Sequence, residues 1–327
     1  MIRKLIVSVL LVLVAGCSEA GAIPQPSARI VLKLESDTLL ASELRNLNRL
    51  VVEALRATPL IPVRERTPQG DAVVVQVANA ADIQAAINRL KAMGNGSQYT
   101  VAQRTDGAIA IGFSSSQVDA IQKSALNASR EVVQRRVLGA GVANATITTQ
   151  GKSRISVQAS GLNEAEVQAL ADLLTTGGLL TFNLVDTQAD PADYQIGVPR
   201  NSRMALPNES LDGEPQVIML DAIISGSDLS GAQRAYDDYG HPNITFQLHS
   251  SGTQKFARAT AANIGRPFAI VLDDHIVSAP VIQSEINGGS GQITGQFTVA
   301  EADRLAVVLR SGALPAKLML EEILAQR

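Results

Sequence analysis

Histidine side chains are the first candidates for chemistry, and the chain has three of them, His241, His249 and His275. They are separated by 8 and 26 residues, whereas two imidazoles share a helix face for metal binding when they are four residues apart. The only cysteine, Cys17, lies far from them in the sequence. We therefore predict that no metal is bound and that each histidine is a solvated or packed residue in a turn or at a strand end.

A second candidate set is the run Asp273, Asp274 and His275 together with Ser278. These residue types occur in hydrolytic sites, where a base must point at the nucleophile and a third group must orient the base. Adjacent residues in a tight turn cannot point at one another in this way. We interpret the two aspartates as a turn, because aspartate tolerates left-handed backbone geometry.

The glycine-rich segment Gly288-Gly-Ser-Gly291 is similar to a phosphate-binding loop in composition alone. It lacks the Gly-Lys-Ser/Thr ending and leads into a predicted strand, whereas a phosphate cradle needs the amino terminus of a helix. We interpret it as a flexible turn. With all three sets interpreted as structural, we predict no catalytic, cofactor-binding or metal-binding residue, no small-molecule substrate and no enzyme activity.

The amino terminus has the pattern of a bacterial lipoprotein leader. Arg3 and Lys4 precede Leu5 to Val14, a run of 10 residues that is apolar but for one serine. The run is too short to span a bilayer and is typical of a signal-peptide core. It ends in Leu13-Val-Ala-Gly-Cys17, which resembles a lipobox. We predict that residues 1–16 are removed and that Cys17 carries a palmitate-type lipid anchor; the alternative is an ordinary secretory cleavage site with an incidental thiol.

Residues 17–28 are small and polar and are predicted to be a flexible, lipidated tether. Ser18 follows the cysteine, and by resemblance to lipoprotein sorting in Gram-negative bacteria it favours the outer membrane; the inner membrane is the alternative. No other segment approaches the length of a transmembrane helix. The expected location is therefore periplasm-facing, with the chain held to a membrane by its lipid.

The composition provides enough apolar residues for a large core, since 46% of the 327 residues are hydrophobic. At about 150 residues per domain, the length favours roughly two domains. Aromatic residues make up 3% of the chain, so the core is predicted to consist mainly of Val, Leu, Ile and Ala. The formal net charge is -3, and without a basic stripe we predict no binding of nucleic acid or anionic lipid headgroups.

An α/β pattern begins at Arg29 and predicts two similar units. In residues 29–113, helix and strand signals follow the order β-α-β-β-α-β, with Asn79 as the predicted cap of the second helix. Residues 114–186 partly repeat this order, with Asn163 as a helix cap and a last strand from Leu179 to Val185. Both fit a ferredoxin-like split unit.

The remaining chain is predicted to form a linker, a head and a returning segment. Residues 187–215 hold four prolines with little periodicity and are predicted to be a linker or an ordered surface excursion. The head spans residues 216–315, and residues 316–327 return toward the base as a strand or a helix. The expected fold class is thus α+β, with ferredoxin-like base units (βαββαβ) and a separate α+β head.

Within the head, a β-hairpin is predicted from Phe268–Leu272 and residues 275–282 around Asp273-Asp274. Two helices flank it: one over residues 251–264 with a Ser251/Gln254 capping pair, and one opened by Thr298 with Glu301 three residues on. A strand is expected at residues 292–297, between the glycine-rich turn and the second of these helices.

Many head residues carry a resemblance to a known family. The string Phe246-x-Leu248, Asn263-x-Gly265, Ala269-Ile-Val-Leu-Asp273, Ser278-Ala-Pro280, Ile293-x-Gly295-x-Phe297 and Leu309-Arg-Ser-Gly-Ala-Leu-Pro315 closely resembles the head of the large periplasmic domain of SecD. SecD is an accessory subunit of the bacterial protein-export translocase. Residues 114–186 resemble the SecD base at Arg136-Val137, Gln150-Gly151, Arg154-Ile-Ser-Val-Gln158 and Leu180-Thr-Phe-Asn-Leu-Val185.

The resemblance implies a role in protein translocation across the inner membrane. The expected partners are a translocating polypeptide or Sec translocase subunits, held in an apolar cleft or at an exposed strand edge between head and base. Gly312 and Pro315 are candidate hinge residues where the head rejoins the base, although helix termination alone also explains them. SecD itself carries six membrane helices, and no comparable helix is predicted in this sequence. The alternative function is an envelope scaffold or lipoprotein-assembly factor that uses the same fold without a role in the Sec channel.

Overall fold

The computed structural model describes residues 27–189, 201–207 and 215–326. The predicted leader, Cys17 and Ser18 lie outside these ranges, and so do two of the four prolines of the predicted linker. The six helices of the described ranges are α1 (Ser36–Arg56), α2 (Ile83–Lys91), α3 (Ser115–Gly139), α4 (Glu164–Thr175), α5 (Ser250–Ala261) and α6 (Val299–Ser311).

The strands form two open four-stranded sheets, a barrel and a three-stranded sheet. The first seven are β1 (Ser27–Leu34), β2 (Val63–Gln69), β3 (Ala72–Val77), β4 (Tyr99–Gln103), β5 (Ile109–Phe113), β6 (Ala145–Gln150) and β7 (Arg154–Ser160). The others are β8 (Leu180–Val185), β9 (Ser202–Pro207), β10 (Gln216–Ser225), β11 (Leu229–Tyr236), β12 (Pro242–Leu248), β13 (Phe268–Leu272), β14 (His275–Ser278), β15 (Ser290–Ile293) and β16 (Leu318–Gln326). This mixture confirms the predicted α+β class.

The base is a ferredoxin-like unit assembled from distant parts of the chain. Its antiparallel sheet has the order β16-β1-β7-β6, and α3 and α4 cover the face that carries Ile30, Leu32, Ile155 and Val157. Taken in chain order, β1, α3, β6, β7, α4 and β16 make the split βαββαβ arrangement. The prediction that β1 belongs to the first unit is therefore wrong, because its edges pair with β7 and β16. The returning segment is the strand β16.

The second ferredoxin-like unit is the amino-terminal sheet β2-β3-β5-β4, packed on α1 and α2. Its strand order is that of a circularly permuted split unit. The position in the sheet that the first strand of such a unit normally fills is taken here by β5, the last strand of the unit in chain order. A core of aliphatic residues, including Leu47, Val75 and Ile111, fills the space between sheet and helices. This unit is inserted between β1 and α3 of the base.

A closed barrel, in the order β10-β8-β13-β14-β9, joins the base to the head. Two predictions are wrong here. The strand β8 was expected in the base sheet but pairs with β10 and β13. Residues 202–207 were expected in a linker but form β9, which closes the barrel by antiparallel pairing with β10 and parallel pairing with β14. The barrel needs both strands to satisfy its edge hydrogen bonds.

The head proper packs α5 and α6 with the three-stranded sheet β11-β12-β15. Four phenylalanines, Phe182, Phe246, Phe256 and Phe268, form its centre, with ring centroids 5.3–6.5 Å apart. Phe182 comes from β8 of the barrel, so the aromatic cluster ties the barrel to the head. The predicted predominance of aliphatic residues holds for all three cores, and in the head the four phenylalanines are added to a mainly aliphatic set.

Local predictions in the head are confirmed in part. The hairpin β13–β14 turns at Asp273 and Asp274, which have φ of 50° and 71°, as expected of aspartates in a left-handed turn. The second strand ends at Ser278 rather than residue 282, because Pro280 has no N–H to donate. Likewise β15 ends at Ile293 rather than Phe297, whose ring folds against Gly295.

The predicted helix caps are also confirmed only in part. Asn163 caps α4 and Thr298 caps α6 with Glu301, as expected, and Asn163 also forms a capping box with Glu166. The Ser251/Gln254 pair is wrong, because α5 begins one residue earlier and His249 occupies its cap position without a side-chain hydrogen bond. Asn79 lies before a short 3-10 turn, where its side-chain amide donates to the Asp82 carboxylate and its side-chain oxygen accepts no capping hydrogen bond from a backbone N–H.

Candidate functional site between base and head

Two chain segments connect the base to the barrel and head, and they lie side by side. Residues 176–179 lead from α4 to β8, and residues 312–317 lead from α6 back to β16. The Leu314 N–H donates to the Gly177 carbonyl at 2.7 Å and so joins the two segments directly. A change in the angle between base and head therefore requires a change in the backbone of these two segments.

Arg136, on α3, is the central side chain of the junction, and its relative exposure is 0%. Its guanidinium donates to carbonyls at the end of α4 and to groups at the end of α6. The acceptors are Leu173 O at 2.9 Å, Thr176 O, Gly177 O at 3.1 Å, Gly312 O at 3.2 Å and Ser311 Oγ at 3.2 Å. One guanidinium therefore holds both connecting segments to the base.

Burial lowers the pKa of Arg136 to about 10, with the nearby Asp273 carboxylate acting in the opposite direction and the Arg135 guanidinium in the same direction. The group is still fully charged at neutral pH. Its charge faces the carboxyl ends of two helices, where backbone carbonyls carry partial negative charge. This compensation explains how a charged side chain is accommodated without an acidic residue as its hydrogen-bond partner.

Asp273 fixes the same junction from the barrel side. Its carboxylate accepts hydrogen bonds from the Gly178 and Leu179 N–H groups, both at 2.8 Å. Gly178 has φ of 85°, and a Cβ there would lie 2.7 Å from Arg136 Nη2, so the position requires glycine. The segment after α4 is thus held between Arg136 and Asp273.

The predicted hinge residues fall at this junction. Gly312 is the last residue of the α6 cap, with φ of 82° and ψ of 173°. That backbone conformation is essentially restricted to glycine and lies outside the left-handed helical region expected for the cap. Pro315 follows three residues later in the same connecting segment. Their position fits a hinge, and hinge motion itself stays a prediction.

A cleft of about 680 Å³ opens beside the junction, between the base and α6 of the head. Its base wall consists of the end of α3, the following loop and α4, including Val142, Leu162 and Leu170. Its head wall is α6, including Ala300 and Val307. The two walls touch where Gly139 meets Val307, since a Cβ at Gly139 would lie 2.8 Å from Val307 Cγ1.

A second cavity of about 300 Å³ continues the cleft along the other side of α6. It shares Glu301 and Arg304 with the first cavity and adds apolar side chains of the hairpin and head, among them Leu272, Val277 and Phe297. The two cavities together form a groove with an apolar floor and charged residues at its rim. Such a groove suits an elongated, partly apolar ligand.

Of the residues first considered for chemistry, Asp273 lies at the junction, whereas no histidine of the described ranges lines the groove. His241 Nδ1 is 3.0 Å from Asp237 Oδ2 in an exposed turn, and His275 Nδ1 is 3.0 Å from its neighbour's carbonyl, Asp273 O. Asp274 pairs with Arg203. Within the described ranges, no three His, Cys, Asp or Glu side chains are placed to hold a metal ion.

Sequence reasoning missed the role of Arg136. The one available signal was its position on α3, where it interrupts the apolar stripe of Val132, Val133 and Val137. A charged residue on a buried helix face needs partners. The partners are the Ser311 hydroxyl and backbone carbonyls from residues 173–177 and 312, and no side-chain pattern in the sequence identifies the carbonyls.

Comparison with known proteins defines the class to which this fold belongs. The family model described as SecDF, P1 head subdomain, matches residues 203–316. The model described as protein translocase subunit SecDF, P1 domain, N-terminal, matches residues 126–187. Together they cover more than half of the chain and include Arg136 and both connecting segments. The fold is that of a P1 domain of a protein translocase subunit.

Curated relatives give the family. The protein translocase subunit SecD of Rhodobacter capsulatus is 36% identical over 283 residues, which are 82% of this chain and 49% of the relative. The subunit SecD of Acetobacter pasteurianus is 37% identical over 226 residues, 69% of this chain and 42% of the relative. The chain belongs to the SecD family, and it spans about half the length of the curated relatives it matches.

A solved structure supports the fold. A crystal structure of SecDF in a super-membrane-facing form matches 89% of this chain and 35% of its own chain, with a TM-score of 0.51 and 24% identity. At that identity the likeness shows the fold alone. In the ranges that the structure describes, none of the helices is both long enough and apolar enough to cross a membrane.

Proposed function

We propose that this chain acts in protein export across the inner membrane by binding translocating polypeptide in the groove between base and head. The observation that carries the proposal is the groove along α6, in a chain whose curated relatives are protein translocase subunits. Those names favour export over the alternative of an envelope scaffold. Sec translocase subunits are the second class of partner.

The walls of the groove determine how it holds a polypeptide. In the larger cavity they consist of helices and loops, so a bound chain gains no hydrogen bonds from a strand edge there. Binding instead depends on packing of apolar side chains against residues such as Leu170 and Val307, with the charged rim in contact with water. This mode tolerates many sequences, as a translocating chain requires.

The junction supplies the proposed motion. Rotation about Gly312 and Pro315 widens or narrows the groove, and the Arg136 hydrogen bonds hold the observed arrangement. A hinge of a few residues beside a rigid pair of subdomains is a common basis for capture and release.

Photo-crosslinking tests this function. A photoreactive residue at Ala169 or Ala300, one on each wall of the groove, is expected to trap a secretory precursor during active export. The same residue at Gln84, on the exposed face of α2, serves as a control. Absence of precursor adducts from both groove positions, or equal adducts from the control, contradicts the proposal.

A further inference from the structure

The amino-terminal unit contains a basic groove that the net charge of the chain conceals. An open depression of about 700 Å³ runs between α1 and β2. Its polar lining residues are Arg45, Asn48, Arg49, Glu53, Arg56 and Arg66. Four guanidiniums thus face one carboxylate, and the prediction that the chain has no basic stripe is wrong. The stripe is absent from the linear sequence because the fold brings Arg66 to α1 from a separate strand.

The helix contributes three of these arginines from a single face. Arg45, Arg49 and Arg56 are four and seven residues apart, which places them within about 40° of one another around a helix of 3.6 residues per turn. They extend along about 16 Å of the helix axis at 1.5 Å per residue. The groove therefore has an elongated row of cations along one wall.

Arg66 reaches the groove from the opposite wall. It pairs in register with Val75, whose side chain is buried in the core, so Arg66 also lies on the helix-facing side of the sheet. Its Nε is shielded from solvent and has no hydrogen-bond partner within the described ranges. The same holds for Asn48 Oδ1 on α1. Buried polar atoms in a folded protein are normally paired, so these two indicate a polar ligand or water in the groove.

The charges of the groove are poorly compensated. Arg49 lies 3.8 Å from Glu53, while Arg45, Arg56 and Arg66 form no ion pair with any other described residue. An adjoining cavity of about 340 Å³ shares Arg56 and Arg66 and adds one arginine, Arg64, and one glutamate, Glu65. Clustered like charges destabilise the folded chain unless an anion occupies the space between them.

We propose that this groove binds the phosphate groups of phosphate esters. A guanidinium presents a planar pair of donors that matches phosphate oxygens, and several guanidiniums can share one phosphate because it has more than two acceptor oxygens and more than one charge. A carboxylate, with two oxygens and one charge, pairs with the donor pair of a single guanidinium. The same chemistry is offered by the headgroups of anionic phospholipids and by soluble phosphate esters.

The test measures amide hydrogen exchange in α1 for the full chain in neutral detergent. Three additives are compared: phosphatidylglycerol in mixed micelles, glycerol phosphate, and a triglutamate peptide that supplies carboxylates only. Slower exchange in α1 with phosphatidylglycerol but not phosphatidylcholine identifies a lipid source, and slower exchange with glycerol phosphate identifies a soluble one. No protection by either phosphate, or equal protection by triglutamate at equal concentration, overturns the proposal.

Variants of the groove arginines test whether the slower amide exchange in α1 depends on the groove. Arg45→Gln with Arg66→Gln is expected to raise the concentration needed for half-maximal protection by at least about tenfold, since two charge-assisted contacts are removed. Lys123→Gln with Arg258→Gln removes the same charge from exposed positions on α3 and α5. This control is expected to leave the concentration for half-maximal protection unchanged. Arg66→Lys keeps the positive charge but removes the planar pair of donors of the guanidinium. This milder change tests the same groove if the double variant fails to fold. Unchanged protection in Arg66→Lys and in the double variant contradicts the assignment.

Discussion

Arg136 shows how one side chain can determine the arrangement of two subdomains. It donates to carbonyls at the ends of α4 and α6, two helices from different subdomains, and its charge compensates the partial negative charge of both helix ends. A lysine has the same charge but only one nitrogen, which cannot reach five acceptors in two segments. The geometry, more than the charge, is what the junction requires.

Replacement of Arg136 by lysine is therefore expected to destabilise the chain by about 2–4 kcal/mol, because several buried carbonyls lose their donors. Urea denaturation of the Arg136→Lys variant measures this loss. Arg135→Lys is the matched control, since the exposed Arg135 donates one hydrogen bond, of 3.0 Å to Ser311 O, and its replacement is expected to cost less than about 1 kcal/mol. Equal losses in the two variants would show that Arg136 has no special role.

Asp228 provides a pH-dependent contribution to the stability of the head. Burial raises its pKa, but the Ser225 N–H and the Lys255 ammonium outweigh burial, so the pKa lies below the ordinary aspartate value. A carboxylate with a lowered folded-state pKa stabilises the fold above its unfolded pKa of about 4 and loses that contribution as the pH falls through the folded value.

The Asp228→Asn variant is thus expected to show a smaller fall in melting temperature than the parent chain between about pH 7 and about pH 3. Circular dichroism at a series of pH values measures the difference. Asp71→Asn, at an exposed turn, serves as the control and is expected to keep the parent's pH dependence. A parent-like slope in Asp228→Asn would exclude this carboxylate as a source of acid sensitivity.

At the scale of elements, β16 completes the base from the far end of the chain. It pairs with β1 over its whole length and adds Leu318 to the core shared with α3 and α4. Without it, the edge of β1 is unpaired and the apolar face beneath α4 is exposed. Removal of residues 318–327 is expected to unfold the base, as judged by loss of amide protection in β1 and β7. Removal of Arg327 alone is the control, and a stable, protected base in the longer truncation would refute the assigned topology.

The sequence identified most elements but not which strands pair. Helix periodicity, helix caps at Asn163 and Thr298 and the Asp273-Asp274 turn are local signals, and the structure confirms them. Strand partners are not local: Ile30 pairs with Ile323 across almost the whole chain. An alternating apolar pattern fixes which face of a strand is buried, but it does not determine which strand lies beside it. That is why β1 and β8 were assigned to the wrong sheets.

The candidate site was predictable only in part for a related reason. Gly312 and Pro315 indicate a helix end in the sequence. The resemblance to the SecD head adds the expectation of a hinge at these residues. Arg136, Asp273 and Gly178 meet through backbone atoms of segments that are far apart in the chain. Backbone acceptors are present at every residue, so the sequence carries no pattern that marks these particular ones.

At the scale of the whole molecule, the sequence predicts that attachment to a membrane depends on Cys17, which lies outside the described residues. The predicted lipid anchor implies that Cys17→Ser will release the chain into the soluble periplasmic fraction, because a cleaved chain without acylation has lost its apolar segment. Separation of inner and outer membranes, followed by detection of the parent chain, identifies the membrane. An unchanged membrane fraction in Cys17→Ser would contradict the anchor.

We propose that base and head move apart along α6 when the groove accepts a polypeptide. The geometry offers a direct test, because a Cβ at residue 139 would lie 3.6 Å from the Val307 Cβ, within the range of about 3.5–4.5 Å found in disulfides. The Gly139→Cys, Val307→Cys pair is expected to form a disulfide that holds the observed arrangement.

The decisive measurement is the yield of secretory-precursor adducts from a photoreactive residue at Ala300 in this disulfide-bonded chain, before and after reduction. Few adducts are expected in the oxidised chain, with recovery of the parent yield on reduction, and the Val307→Cys single variant is expected to behave as the parent under both conditions. Equal adduct yields from the oxidised and reduced chains would contradict the proposed movement, because the groove would then accept polypeptide without any movement of the head.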